Sequence, residues 1–145
     1  MKVNGILKNK RDVISITPDV TIKETMKMLI ENKISCLPVM DKDDKLVGII
    51  SDKDIFGASY RDEKGFAAAT VAELMSTDLI VGVPDDDLNY ISGVMTNNRI
   101  RHIPIMDDGK LAGLISVGDI IKANMSSMEI ENRTLRQYID GSYPG

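Results

Sequence analysis

Residues 34–41 read Ile34-Ser35-Cys36-Leu37-Pro38-Val39-Met40-Asp41, and residues 100–107 read Ile100-Arg101-His102-Ile103-Pro104-Ile105-Met106-Asp107. An aliphatic residue on each side of a proline, closed by Met-Asp, describes a short strand that bends. Its recurrence makes the chain an internal repeat, and such a repeat is the first thing to settle. The match extends in both directions. Upstream, Asp12, Ile14, Pro18, Asp19 and Asn32 recur as Asp78, Ile80, Pro84, Asp85 and Asn98. Downstream, after a one-residue deletion, Lys45, Leu46, Gly48, Ile50, Ser51, Asp54, Ile55 and Ala58 recur as Lys110, Leu111, Gly113, Ile115, Ser116, Asp119, Ile120 and Ala123.

Each copy reads alike. Val13–Ile16 is a short extended run held open before proline at Thr17-Pro18. Thr21-Ile22-Lys23-Glu24 has the form of a capping box, and Ile22, Met26, Leu29 and Ile30 predict the apolar face of a helix reaching about Asn32. In the second copy the helix follows Asp85-Asp86-Asp87, with Leu88, Ile91, Val94 and Met95 inward. Three carboxylates suit the positive end of a helix. Cys36–Met40 and Lys45–Ile50, joined by a polar turn, predict a hairpin, as do His102–Met106 and Lys110–Ile115. The proline within the first strand of each pair places that strand at a sheet edge or a bulge. A second helix starts after Ser51 and after Ser116. Units this small have little core of their own, so the copies should pack on each other. Residues 1–70 hold the first repeat with its lead and linker, 71–125 the second, beginning with a helical turn at Val71–Met75, and 126–145 a helical tail. That tail offers Met128, Ile130, Leu135 and Ile139 for packing and stops at Gly141–Gly145.

Composition narrows the function. Of the 145 residues 43% are hydrophobic and 28% charged, with net charge −4, which disfavours a nucleic-acid or anionic-membrane surface but not a local anion pocket. There is no run long enough to cross a bilayer, and Met1–Lys8 lacks a secretory leader's pattern, so a cytoplasmic protein is expected. One cysteine and one histidine exclude an internal disulfide and a cysteine-based zinc cage, and leave little for nucleophilic catalysis. No Walker loop, Gly-x-Gly-x-x-Gly or His-Glu-x-x-His occurs. Asp85, Asp86 and Asp87 are adjacent and so diverge from a helix start, making poor metal co-ligands. An enzyme is not expected.

The strand–helix–strand–strand–helix unit, the hydrophobic–Pro–hydrophobic step and the Gly-hydrophobic-x-Ser-x-x-Asp segment together resemble the CBS (cystathionine-β-synthase) domain, and two such repeats resemble a Bateman module in its stand-alone form. The resemblance implies an α/β (α+β) fold of two tandem βαββα repeats related by pseudo-twofold symmetry. It also implies two clefts that bind AMP, ADP, ATP or a related adenosyl ligand, with or without magnesium. Each cleft would combine the Ser-x-x-Asp of one repeat with a base-binding wall from the other, and the module would form a flat homodimer that signals to a protein partner. In that setting Asp119 and Asp54 would accept the ribose hydroxyls. Ser116 and Ser51 would touch phosphate or ribose, and the helix N-termini would face phosphate. Arg101 and His102 would reach phosphate, and their uncharged counterparts Ser35 and Cys36 make the two clefts unequal. Ile14, Ile34 and Cys36, with Ile80 and Ile100, would sandwich adenine, and the backbone near Ser35 and Cys36 would read its edge.

Plainer roles stand beside these. Both Ser-x-x-Asp segments read as capping boxes. Arg101 reads as a surface charge, His102 as a structural imidazole and Cys36 as a small buried thiol, and the isoleucines read as core. Met26, Met28, Met95, Met125 and Met128 serve either as an adaptable partner surface or as core filling. The rival to a nucleotide sensor is a ligand-independent dimerisation or scaffold protein.

Overall fold

Pro38 and Pro104 set the shape of the two sheets. In each repeat an antiparallel hairpin forms, β1 (Cys36–Met40) with β2 (Leu46–Ser51) and β3 (His102–Asp107) with β4 (Lys110–Ser116). The extended run before each first helix joins its hairpin by a single parallel rung: Ile16 pairs with Val39, and Gly82 with Ile105. Ile16 N–H donates to Pro38 O at 3.1 Å and Ile16 O accepts from Met40 N–H at 2.8 Å, and Gly82 does the same with Pro104 and Met106. The next rung would need an N–H on the proline to reach residue 14 or 80, and proline has none. The expected first strand is therefore one residue of ladder. It also follows that β1 and β3 are flanked on both sides rather than lying at an edge, while the expected bulge is present, between Val39 and Met40 and between Ile105 and Met106.

This computed structural model describes residues 1–139, without the side chains of 127–130 and 138; Met128, Ile130 and the Gly141–Gly145 stop lie outside what it describes. The helices are α1 (Val3–Leu7), α2 (Ile22–Asn32), α3 (Asp52–Arg61), α4 (Val71–Leu74), α5 (Leu88–Asn98) and α6 (Val117–Ile139). Thr21 caps α2, its Oγ1 accepting from Glu24 N–H at 3.3 Å. Ile22 and Leu29 are buried and Met26 partly so, but Ile30 is exposed. The three aspartates before α5 go to three different partners: Asp85 to Lys2 at 2.6 Å, Asp86 to Val83 N–H at 2.8 Å and Asp87 to Asn89 N–H at 2.8 Å. The second helix of repeat two and the tail are one continuous element, α6.

The cores are reciprocal. Val3 of α1, fully buried, packs with Leu88, Ile91, Met95, Ile103, Ile105 and Ile115, all from the second repeat. Val71 of α4, equally buried, packs with Ile16, Ile22, Leu29, Leu37, Val39 and Ile50 of the first. The backbone bonds match one for one. Val3 N–H reaches Asp86 O and Asn4 N–H reaches Pro84 O, while Val71 N–H reaches Val20 O and Ala72 N–H reaches Pro18 O. The helical turn expected at Val71–Met75 is thus present, but it docks on the repeat that precedes it. Gly48 and Gly113 serve this exchange: a Cβ at Gly48 would meet Met75 Sδ at 2.5 Å, and one at Gly113 would meet Leu7 Cδ2 at 2.5 Å. Between the two bodies lie the clefts.

Candidate functional site: two unequal clefts between the repeats

The hairpins point Ile34, Ser35 and Cys36 of one repeat towards Ile100, Arg101 and His102 of the other. Ser35 Oγ and His102 Nε2 are 3.3 Å apart, and Arg101 Nη2 lies 3.6 Å from Asp52 Oδ1, so both contacts cross from one repeat to the other. On one side of this seam is a cleft formed by two adjoining cavities of about 710 and 570 Å3 that share Lys10, Ile34, Cys36 and Leu114. Its walls carry Ile14, Ile34, Ser35 and Cys36 from the first repeat, and Ser116 and Asp119 from the second. On the other side is a cavity of about 240 Å3 that carries Ser51 and Asp54 from the first repeat and Ile80 and Ile100 from the second. Every residue that the resemblance assigned to a ligand therefore borders at least one of the two clefts, and each Ser-x-x-Asp faces the apolar wall of the opposite repeat. Each cavity of the larger cleft falls within the usual range of small-molecule sites, roughly 300–1,000 Å3, and the smaller cleft falls below it.

Both serine–aspartate pairs are caps. Asp54 Oδ2 accepts from Ser51 N–H at 2.9 Å and Ser51 Oγ at 3.1 Å. Asp119 Oδ2 accepts from Ser116 N–H at 2.9 Å, and Ser116 Oγ accepts from Asp119 N–H at 3.1 Å. Capping consumes one oxygen of each carboxylate. The start of α6 is less open than the sequence suggests, because Val117 N–H already donates to Arg101 O at 2.9 Å. Gly118, which lines the larger cleft, carries the remaining first-turn N–H.

The sequence reading missed Lys10. Its Nζ donates to Asp119 Oδ2 at 2.6 Å and to Leu114 O at 2.7 Å, tying the lead of the first repeat to the helix start of the second. It precedes the repeated segment, so self-alignment passes over it; the signal was the basic pair Lys10-Arg11 entering the first extended run. Lys33 and Arg99 were missed too. They are the C-caps of α2 and α5, both in the left-handed region at φ 53°, and line the larger and smaller cleft respectively. Their signal was a basic residue kept between Asn and Ile in both copies. Arg101 and His102 border both clefts and so do not set them apart; size and Lys10 do.

Electrostatics follows the packing. Burial works to raise the Asp119 carboxyl, but the bond from Lys10 and those from Ser116 outweigh it and hold the group below its ordinary value. Burial, helped by neighbouring Arg101, pushes His102 down and so favours its neutral form. Burial, with Asp54 and Asp52 adding to it, pushes the Cys36 thiol up to about 12, which makes it an inert wall group rather than a nucleophile. Ile14 and Ile34 are each 36% exposed, so they are apolar groups left open to the cleft rather than core. Among the described residues no group of three or more His, Cys, Asp or Glu could hold a metal ion, and no helix is long and apolar enough to cross a membrane.

Two reciprocal βαββ-type bodies with Ser-x-x-Asp helix starts are matched by the CBS domain family model at residues 6–61 and 71–126. The chain belongs to the CBS-domain family. Among curated relatives, the CBS domain-containing protein YhcV of Bacillus subtilis is 32% identical over 116 residues, 79% of this chain and 81% of that one. The inosine-5'-monophosphate dehydrogenase of Methanocaldococcus jannaschii is 34% identical over 113 residues; that covers 77% of this chain but spans only 22% of the dehydrogenase, so the match is to its CBS portion. Among solved structures, the CBS-domain protein ATU1752 of Agrobacterium tumefaciens superposes with TM-score 0.82 at 31% identity, covering 85% of this chain and 92% of its own. The CBS domain pair of protein MJ0100, in complex with 5'-methylthioadenosine and S-adenosyl-L-methionine, superposes with TM-score 0.78 at 27% identity over 88% of this chain and 98% of its own.

Proposed function

We propose that this CBS pair is a regulatory module that takes one adenine nucleotide of the AMP, ADP or ATP type in its larger cleft and responds by changing how its two repeats, or two copies of it, are arranged. The observation that carries the reading is the cleft itself: Ile14 and Ile34 left open on one repeat, Asp119 at a helix start on the other, and three cations, Lys10, Lys33 and Arg101, around about 710 Å3 of space. The adenosyl ligands of the MJ0100 pair support an adenosine-shaped occupant. The cations favour one that also carries phosphate, since charge-assisted bonds to phosphate are the strong ones. Adenine lies between Ile14 and Ile34, with the Ser35 and Cys36 backbone at its edge. Asp119 Oδ1 accepts the ribose hydroxyls while Oδ2 stays capped. Lys10, Lys33, Arg101, Ser116 and the Gly118 N–H meet the phosphates, and any magnesium arrives on them. A ligand that touches both repeats shifts their arrangement only through unequal affinity for the two arrangements.

The homodimer expected from the family belongs to the same proposal. Ile30 and Phe56, 75% and 77% exposed, form an apolar strip across α2 and α3 that a second copy would cover. Isothermal calorimetry with AMP, ADP and ATP tests the sensor. One site per chain is expected, weakened roughly 10- to 100-fold by Asp119→Ala, the effect of losing a charged hydrogen-bond acceptor. Titrations that stay flat with all three nucleotides would remove the proposal.

A further inference from the structure

We infer that the outer part of α6 is an arm by which two copies of this chain join, as a parallel two-stranded coiled coil. Beyond the core-facing Val117, Ile120 and Ala123, the residues at alternating steps of four and three are Ile121, Met125, Met128, Asn132, Leu135 and Ile139. The helix is continuous through all of them. Alternation of four and three is the a/d seam of a heptad repeat, here reading d-a-d-a-d-a. The seam is not a continuation of the core stripe: Ile121 lies about 100° around the helix from buried Ile120. Ile121, Met125, Leu135 and Ile139 are 52% to 84% exposed, an unusual cost for large apolar groups on one face of one helix.

Two features name the occupant as a second copy in parallel register. Asn132 falls at an a position. Paired with its own equivalent, an asparagine there is satisfied and fixes two strands in register; against an unrelated apolar groove it is buried without a partner. Glu131 then falls at g and Arg136 at the e position five residues on, the two places that face each other across a parallel pair, and their charges are opposite. An antiparallel pair sets g against g and e against e, and does not bring these two residues together. The seam is only roughly 28 Å long at 1.5 Å per residue, too short to hold two chains unaided. The arm therefore rests on the homodimer proposed above and extends it: Ile121 is the repeat-two counterpart of Phe56, so the seam begins where that apolar strip recurs.

The test uses the full chain. Leu135→Cys places a thiol at d, where the two copies approach within disulfide reach; Arg133→Cys places one at b, outside the seam. With air as oxidant the first is expected to give a covalent dimer on a non-reducing gel at least roughly tenfold faster than the second. Buried Cys36, present in both, does not compete. Glu131→Arg is expected to weaken the dimer roughly tenfold by sedimentation, and adding Arg136→Glu to restore it, which a merely structural role for either residue would not do. Equal rates for the two cysteine variants, or no rescue by the double swap, overturn the arm. A wild-type dimer with no link at 135 removes the arm and leaves the apolar strip of α2 and α3 as the interface, whereas a monomeric wild type removes both.

Discussion

Lys33 and Arg99 hold a conformation that suits glycine, φ 53° in each, and both set a cation on the wall of a cleft. A side chain in the left-handed region costs about 1 kcal/mol, so the position trades stability for charge. Lys33→Gly is expected to raise stability by about 1 kcal/mol in urea unfolding while weakening nucleotide binding several-fold; a variant that gains in both would take Lys33 out of the site. His102 makes a second residue-level prediction, with a defined sign. Its folded pKa is depressed, first by burial and then by Arg101. Its contribution to stability is therefore full above the unfolded value, about 6.5, and is lost as pH falls below it, because the unfolded chain takes the proton first. A phosphate bound beside the ring would favour the imidazolium and reverse the trend for affinity, which should rise as pH drops from about 8 to about 6.5, above the pH near 6 at which the phosphate takes its own second proton. His102→Gln should flatten both curves, read by melting temperature and by calorimetry. The repeat set Asp54, Asp119, Arg101 and His102 at matched positions of the two copies, and the resemblance to the CBS domain then implied their roles. The repeat could not find Lys10, which lies upstream of the repeated segment and acts only through a fold that brings it to Asp119.

At the scale of elements, each repeat is completed by the other's leading helix, and the repeated glycine is the mark of it. Gly48 and Gly113 both make room, but not equally. A Cβ on Gly113 meets only the tip of Leu7 closely, which a rotamer change relieves, whereas one on Gly48 meets Met75 Sδ and Cγ and, at 3.1 Å, the backbone oxygen of Ser76. Gly48→Ala should cost about 2 kcal/mol and Gly113→Ala under about 1 kcal/mol, measured by denaturant unfolding, and Leu7→Ala should relieve the second and not the first. Hydrogen exchange reads the exchange of helices directly. Val3→Ala is expected to loosen α5, β3 and β4, and Val71→Ala to loosen α2, β1 and β2, each the repeat that is distant in sequence order from a simple two-domain division. The helices and hairpins were legible because their signals are local: a threonine cap, alternating apolar residues, a polar turn. The shrunken first strand was not, because the proline that shortens it lies in a different strand and acts through the rung it cannot donate. The docking of α1 and α4 was not legible either, since apolar positions such as Val3 and Val71 show that a face is buried and not which repeat buries it.

The molecule as a whole has pseudo-twofold related halves and clefts that break the symmetry. Repetition alone would predict two equal sites. The structure gives about 710 Å3, joined to a further cavity and guarded by Lys10, against about 240 Å3 with no counterpart of that lysine. The position equivalent to Lys10 by the docking of the leading helices is Asp78. Three cations line each side, Lys10, Lys33 and Arg101 against Lys53, Arg99 and Arg101, so it is Asp78, added to Asp54, that leaves the smaller cleft less positive. Size and charge then act in the same direction, and a phosphorylated nucleoside should fill the larger cleft first. Calorimetry with AMP should give one strong site, with Asp54→Ala changing its affinity by less than about threefold and Asp119→Ala by roughly tenfold or more. Arg101 borders both clefts and crosses to Asp52 of the other repeat, so Arg101→Ala should weaken the strong site and, by freeing the contact between repeats, lower the melting temperature of the free protein slightly. Two sites of equal affinity would show that the difference in volume and charge between the clefts has no consequence for binding. Loss of binding with Asp54→Ala and not with Asp119→Ala would place the ligand on the opposite face of the seam.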